Sequence, residues 1–194
     1  MLYALWLCAC LWGGDLRAQY KLEREYRIKR EEAPELSRML VDSCYPQTRV
    51  KWYVEQSEGR KTYEAKLWYK KDKTKQHYSV EFDTLGVVED VEHLMPFEEM
   101  PELVQKAAMQ EINRLFKRHK IVRVQEQWIG DLPTLQAKMK QRPLPKPLTI
   151  NYEIVVVGKQ TNRLYKSLEI TLDAQGNIIG ILEIVHNSSD HLIY

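Results

Sequence analysis

The stretch "LEITLDAQGNIIGILEI", Leu168 to Ile184, constrains this chain most, because it restates an earlier one, "YSVEFDTLGVVEDVE", Tyr78 to Glu92. Each reads as an alternating run, then Asp-x-x-Gly, then a second apolar run. Tyr78, Val80 and Phe82 alternate with Ser79, Glu81 and Asp83; Leu168, Ile170 and Leu172 alternate with Glu169, Thr171 and Asp173. A period of two puts one set on a core face and the other toward water. Asp83 and Asp173 then open tight turns that end in Gly86 and Gly176. An Asp carboxylate can accept from the backbone two residues on, and Gly tolerates the left-handed geometry that closes such a turn. A calcium loop would need further acidic ligands at fixed spacing, which neither DTLG nor DAQG supplies.

Reading backward from each hairpin extends the repetition. "RVKWYVEQSEG" and "RKTYEAKLWYKK" precede the first as two more alternating strands, and "APELSRMLVDSCYP" precedes those as a helix with Leu36, Leu40 and Cys44 one turn apart. The second copy opens with the helix "MPELVQKAAMQEINRLFKRHK", its stripe running Val104, Ala108, Ile112 and Leu115. Its strands are "IVRVQEQWIG", "LTINYEIVVVGK", "LYKSLEITLD" and "NIIGILEIV". Between the first two lies "DLPTLQAKMKQRPLPKPL", eighteen residues with four prolines and four Lys or Arg, either an excursion with a role or a floppy insertion. The expected fold is α+β, a tandem duplication of a helix followed by a four-stranded antiparallel sheet. The first repeat covers 19–97 and the second 98–194, with the insertion at 130–148. Two such halves abut into one eight-stranded sheet or stand as two small ones.

With 44% hydrophobic and 29% charged residues, the chain reads as an ordinary globular protein rather than a disordered one. Lys and Arg outnumber Asp and Glu by only 29 to 27, which argues against a nucleic-acid binder. "LYALWLCACLW", Leu2 to Trp12, is too short for a membrane-spanning helix but suits a signal-peptide core, so residues 1–18 are expected to direct export to the periplasm or the outside. No Lys or Arg precedes that run. The rival readings are a buried N-terminal helix and, through "LCAC", a lipid anchor at Cys10. Cleavage before Gln19 leaves Cys44 as the sole cysteine, hence no internal disulfide. On a helix with no basic activator close by, Cys44 reads as a small buried hydrophobe.

The alternation also defines the sheet face away from the core. In the first half it carries Lys51, Tyr53, Glu55, Glu64, Lys66, Trp68, Ser79 and Glu81, a mixed charged and aromatic surface. In the second half Val155 and Val157 fall on the same side, so that part is covered or meets something. Trp52 shares the other face with Val50 and Val54 and is expected in the core. Trp68 falls opposite, either as an interface anchor or beneath a neighbouring loop.

Motifs for chemistry are absent from the sequence. The five histidines include no pair at metal-ligand spacing, and there is no P-loop or dinucleotide fingerprint. "HNSSDH" places Ser, Asp and His side by side, whereas a triad is assembled between distant elements. "RLFKRHKIVR", Arg114 to Arg123, is the densest basic stretch; it could meet phosphates or simply be a solvated helix end. "REYRIKREE", Arg24 to Glu32, reads as an exposed, mixed-charge lead-in.

The segments "YEAKLW…HYSVEFDTLGVV" and "YEIVVV…YKSLEITLDAQGNII" resemble the PepSY-like proteins with a β-lactamase-inhibitor-like fold, over about Pro34 to Val185. The resemblance implies an exported bacterial protein of the Bacteroidota type and a noncatalytic module, in some relatives a peptidase pro-region or an enzyme inhibitor. Such inhibitors grip another protein through the exposed sheet face. The function expected is therefore an exported, noncatalytic binding or inhibitory module acting on a cell-envelope protein, with no cofactor, metal, nucleic acid or membrane span. Tyr53, Glu64, Lys66 and Trp68 are the expected contact residues. The alternative is an envelope sensor of a small ligand or glycan.

Overall fold

A computed structural model describes residues 19–21, 24–57, 59–71, 74–160 and 164–184. The signal-peptide reading of residues 1–18, with Cys10, and the "HNSSDH" tail lie outside the described residues. The chain runs β1 (Gln19–Lys21), β2 (Arg24–Ile28), α1 (Glu35–Cys44), β3 (Val50–Ser57), β4 (Arg60–Lys71), β5 (Thr74–Phe82), β6 (Val88–Leu94), α2 (Glu102–Leu115) and β7 (Arg118–Ile129). It continues with α3 (Leu132–Met139), β8 (Thr149–Lys159), β9 (Tyr165–Asp173) and β10 (Ile178–Ile184).

All these strands join one ten-stranded sheet in the order β1-β10-β9-β8-β7-β6-β5-β4-β3-β2. From β2 to β10 every pairing is antiparallel, and the three-residue β1 adds to β10 in parallel. This overturns the expected tandem of a helix and a four-stranded sheet. Two separate sheets would each leave open edges, rows of unpaired N–H and C=O groups. Here β6 and β7 pair edge to edge, Val91 opposite Trp128 through Leu94 opposite Gln125. The charged lead-in becomes β2, and Arg24–Ile28 pair with Gln56–Trp52 of β3. Three helices accompany the sheet among the described residues rather than leading two sheets of their own.

The sheet is strongly coiled. Lys21 sits opposite Ile184 on one outer edge and Arg24 opposite Gln56 on the other. Three residues of chain span at most about 11 Å, whereas the edges of a flat ten-stranded sheet stand roughly 43 Å apart. A corner of the β1 edge must therefore meet a corner of the β2 edge.

The helices cover one face, and the polar side chains buried on the other with no helix over them among the described residues mark that other face as the inner, concave one. On the helical face α1 buries Leu40, Val41 and Cys44 against Trp52, Ala65, Leu67, Val80 and Phe82. Helix α2 buries Val104, Ala108 and Ile112 against Ile154, Val156, Leu168 and Ile170. Trp52 is in the core, as its alternation with Tyr53 demands. Part of the insertion is helical, as α3. Asp131 caps it, accepting from the Thr134 N–H at 3.0 Å, and Pro133 occupies the first turn, where its missing N–H costs nothing. Leu135 and Met139 join the same core as α1, so the insertion completes the first half's packing.

Both Asp-x-x-Gly turns form as read. Asp83 Oδ1 accepts from the N–H groups of Leu85 and Val87, and Asp173 Oδ1 from those of Gln175 and Asn177, all at 2.8–2.9 Å. Gly86 and Gly176 have φ of +84° and +82°. Each turn rests on the start of a helix. A Cβ at Gly86 would stand 2.8 Å from Pro34 Cβ, whereas one at Gly176 would stand 3.3 Å from Ala107 Cβ. Gly176→Ala is expected to cost about 1 kcal/mol through φ alone, and Gly86→Ala clearly more, because the clash adds to it. Urea denaturation of the two variants checks the order; equal losses would contradict it.

Candidate functional site

The concave face, which carries no helix among the described residues, is built by register. Tyr53, Glu64, Glu81 and Asp90 lie side by side across β3 to β6. The next row reads Lys51, Lys66, Ser79, Glu92, Gln127 and Asn151 across β3 to β8. Coiling explains its burial: Glu64 and Glu169 are 4% exposed, Ser79, Gln125 and Asn151 7%. A flat sheet would leave such polar rows open to water.

At the β2–β5 side the buried charges are compensated. Lys66 Nζ donates to Glu25 at 2.8 Å and lies 2.9 Å from Glu64 Oε2, and Ser79 donates to Glu64 Oε1. The same ammonium stands 4.8 Å over the Tyr53 ring. Burial opposes the charge on Lys66, but the carboxylates of Glu64 and Glu25 outweigh it and hold the amine above the usual lysine range. Glu25, Glu55 and Glu64 bring oxygens within 4.8 Å of one another, close enough for a metal ion. Lys66 already supplies a positive charge between two of the three, Glu25 and Glu64.

At the β6–β8 side acid meets acid. Asp90 is pushed up to about 7, first by burial and then by the charge of Glu153. Glu92 is raised well above the usual carboxyl range by burial, by Glu153 and Asp90, and through a hydrogen bond with Glu153. The amides of Gln125 and Gln127 donate to Glu92 and Asp90, the latter at 2.8 Å, and Asn151 donates to Gln127 at 3.0 Å. Asp90 Oδ1 and Gln125 Oε1 are enclosed and accept no hydrogen bond from the described residues. One proton held between Glu92 and Glu153 keeps the two adjacent carboxyls bonded rather than repelling.

The expected contact residues do share this face, in different states. Glu64 is buried and Lys66 is engaged with Glu25 and Glu64, so both form its floor. Tyr53 is half-buried beneath the Lys66 ammonium. Trp68 stands partly exposed, stacked on His77 at 6.5 Å between centroids, with Lys75 Nζ at 5.0 Å and Lys51 Nζ at 5.5 Å from its ring. Sequence reasoning missed Asp90, Glu92 and Glu153: "VEDVE" does not alternate strictly, because a bulge opposite Glu81 and Phe82 puts both Val88 and Val91 in the core and turns Asp90 and Glu92 to the other face.

Cys44 faces a cleft of about 570 Å³ between the ends of α1 and α3, lined also by Tyr45, Met139, Lys140 and Arg142. Burial pushes its thiol pKa up despite the nearby cations, the opposite of what a nucleophile needs. Among the described residues no helix is long and apolar enough to cross a membrane.

No family model matches the chain, and no curated protein matches it. Among solved structures, it is similar to a DUF2874 family protein from Bacteroides ovatus, with 14% identity, a TM-score of 0.51, and coverage of 78% of this chain and 87% of that one. It is also similar to a BLIP-like protein from Bacteroides fragilis, with 16% identity, a TM-score of 0.47, and coverage of 82% and 92%. At such identities, the likeness to the Bacteroides ovatus protein is one of fold alone.

Proposed function

We propose that the protein is an exported, noncatalytic binding or inhibitory module that holds a protein of the cell envelope at the mouth of its concave face. The observation that carries this reading is Trp68. It points away from the core, is fixed from three sides by His77, Lys51 and Lys75, and remains partly exposed. A rigid aromatic loses little entropy on binding, and binding energy at protein interfaces concentrates in a few such anchors. Glu64 and Lys66 brace the floor beneath, so the face is organised before a partner arrives. The PepSY-like and inhibitor-like resemblance of the two hairpins points the same way.

A photo-crosslinking residue at position 68 should yield a discrete protein adduct in intact cells, while the same residue at Arg38 on the convex side should not. Trp68→Ala should weaken the purified complex by at least about 2 kcal/mol, roughly thirtyfold in Kd. Equal crosslinking from both positions, or an unaffected complex, would refute this assignment.

A further inference from the structure

Beyond that binding reading, the basic stretch singled out in the sequence acquires a place in the fold. Strand β6 ends at Leu94, opposite Gln125, whereas β7 begins at Arg118 and pairs onward with β8 as far as Lys159. The first residues of β7, with the end of β8 and the start of β9, therefore project past the sheet as a three-stranded tongue. Its outermost row is Arg118, Lys159 and Tyr165.

Two features coincide on the tongue. Its inner cations are neutralised, Lys166 by Glu183 at 2.6 Å and Arg123 by Glu169 at 3.8 Å. Among the described residues no carboxylate pairs with Lys117, Arg118, Lys120 or Lys159. Large apolar groups stand exposed among them: Tyr165 at 71%, Leu164 at 62% and Val122 at 57%. A nearly neutral chain thus gathers uncompensated cations and bare apolar side chains at one projecting corner.

We propose that this tongue docks on an anionic phospholipid surface. Lys117, Arg118, Lys120 and Lys159 would lie against headgroup phosphates, and Leu164 and Tyr165 would enter the interface, where an amphipathic ring is at home. Phosphate recognition in nucleic acid would use the cations but not the exposed Leu164. By register Arg118, Lys120, Lys159 and Tyr165 lie on the same side of the sheet as Arg123, Gln125 and Gln127, so the tongue continues the concave face beyond the end of β6. Vesicle flotation reads the lipid contact and crosslinking from position 68 the protein contact, so the two readings fail separately.

Flotation of the full chain with vesicles tests the proposal, comparing phosphatidylcholine alone with phosphatidylcholine containing phosphatidylglycerol. Anionic vesicles should bind at least about tenfold more tightly at low salt, and the preference should fade as salt rises. The double variant Arg118→Glu/Lys120→Glu should lose the preference. Tyr165→Trp should give a fluorescence blue shift on anionic vesicles that soluble glycerol phosphate does not produce. The N-terminal apolar segment is common to all forms, so the readout is the difference between them. An unchanged preference in the double variant, no blue shift, or tighter binding to duplex DNA than to anionic vesicles at equal phosphate would overturn the assignment.

Discussion

At about pH 8, Glu92→Gln is expected to stabilise the protein by about 2 kcal/mol, and at about pH 4 to change its stability little. The cause is the acid-on-acid packing of Asp90, Glu92 and Glu153 inside the coil. Burial and mutual repulsion raise the carboxyls of Glu92 and Asp90, so the folded state holds protons that the unfolded chain releases. Stability from such groups is complete below the unfolded pKa and is lost as pH rises through the folded one. For Asp90 the rise from 3.8 to about 7 corresponds to roughly 4 kcal/mol at most, lost between about pH 4 and pH 7. An amide in place of Glu92 keeps both partners, accepting from Gln125 and donating to Glu153, and removes one ionisable group. Denaturant titrations of wild type and variant at both pH values check this. A wild type that is more stable at pH 8 than at pH 5, or a variant no better than wild type at pH 8, would contradict it.

A second large effect is expected at Gly158. The Phe116 ring lies directly on this glycine, and an added Cβ would come within 2.3 Å of Phe116 Cγ. Phe116 is 3% exposed and closes the core beneath the end of α2, so it has no free space into which to swing. Gly158→Ala should cost about 3 kcal/mol, at the upper end of ordinary overpacking. Because the damage is one collision, Phe116→Leu should cost less in the Gly158→Ala background than in wild type. A double-mutant cycle from chemical denaturation measures that coupling, and strictly additive losses would exclude the collision.

Local chemistry made several elements legible in the sequence. Alternation assigned Trp52 to the core and Lys51, Tyr53, Glu64, Lys66 and Trp68 to a common opposite face, and the structure places them so. Asp83 with Gly86, and Asp173 with Gly176, announced their turns, because an Asx bond and a positive φ are needs of adjacent residues. Helix α3 was hidden by reading its prolines as loop signals, although Asp131 followed by Pro133 is a helix start.

What the sequence by itself determined is therefore which residues form strands, where the turns fall and which side chains share a face, since these depend on neighbours a few positions apart. Whether the halves stand alone or join, that the charged run Arg24–Ile28 becomes a strand, and that Leu135 caps the first half's core were decided only by the tertiary structure. Each depends on the satisfaction of sheet edges or the filling of space between distant segments. The burial of Glu64, and the crowding of Asp90, Glu92 and Glu153, follow in turn from the coil. A polar face reads as solvated until a ten-stranded sheet bends around it and takes the water away.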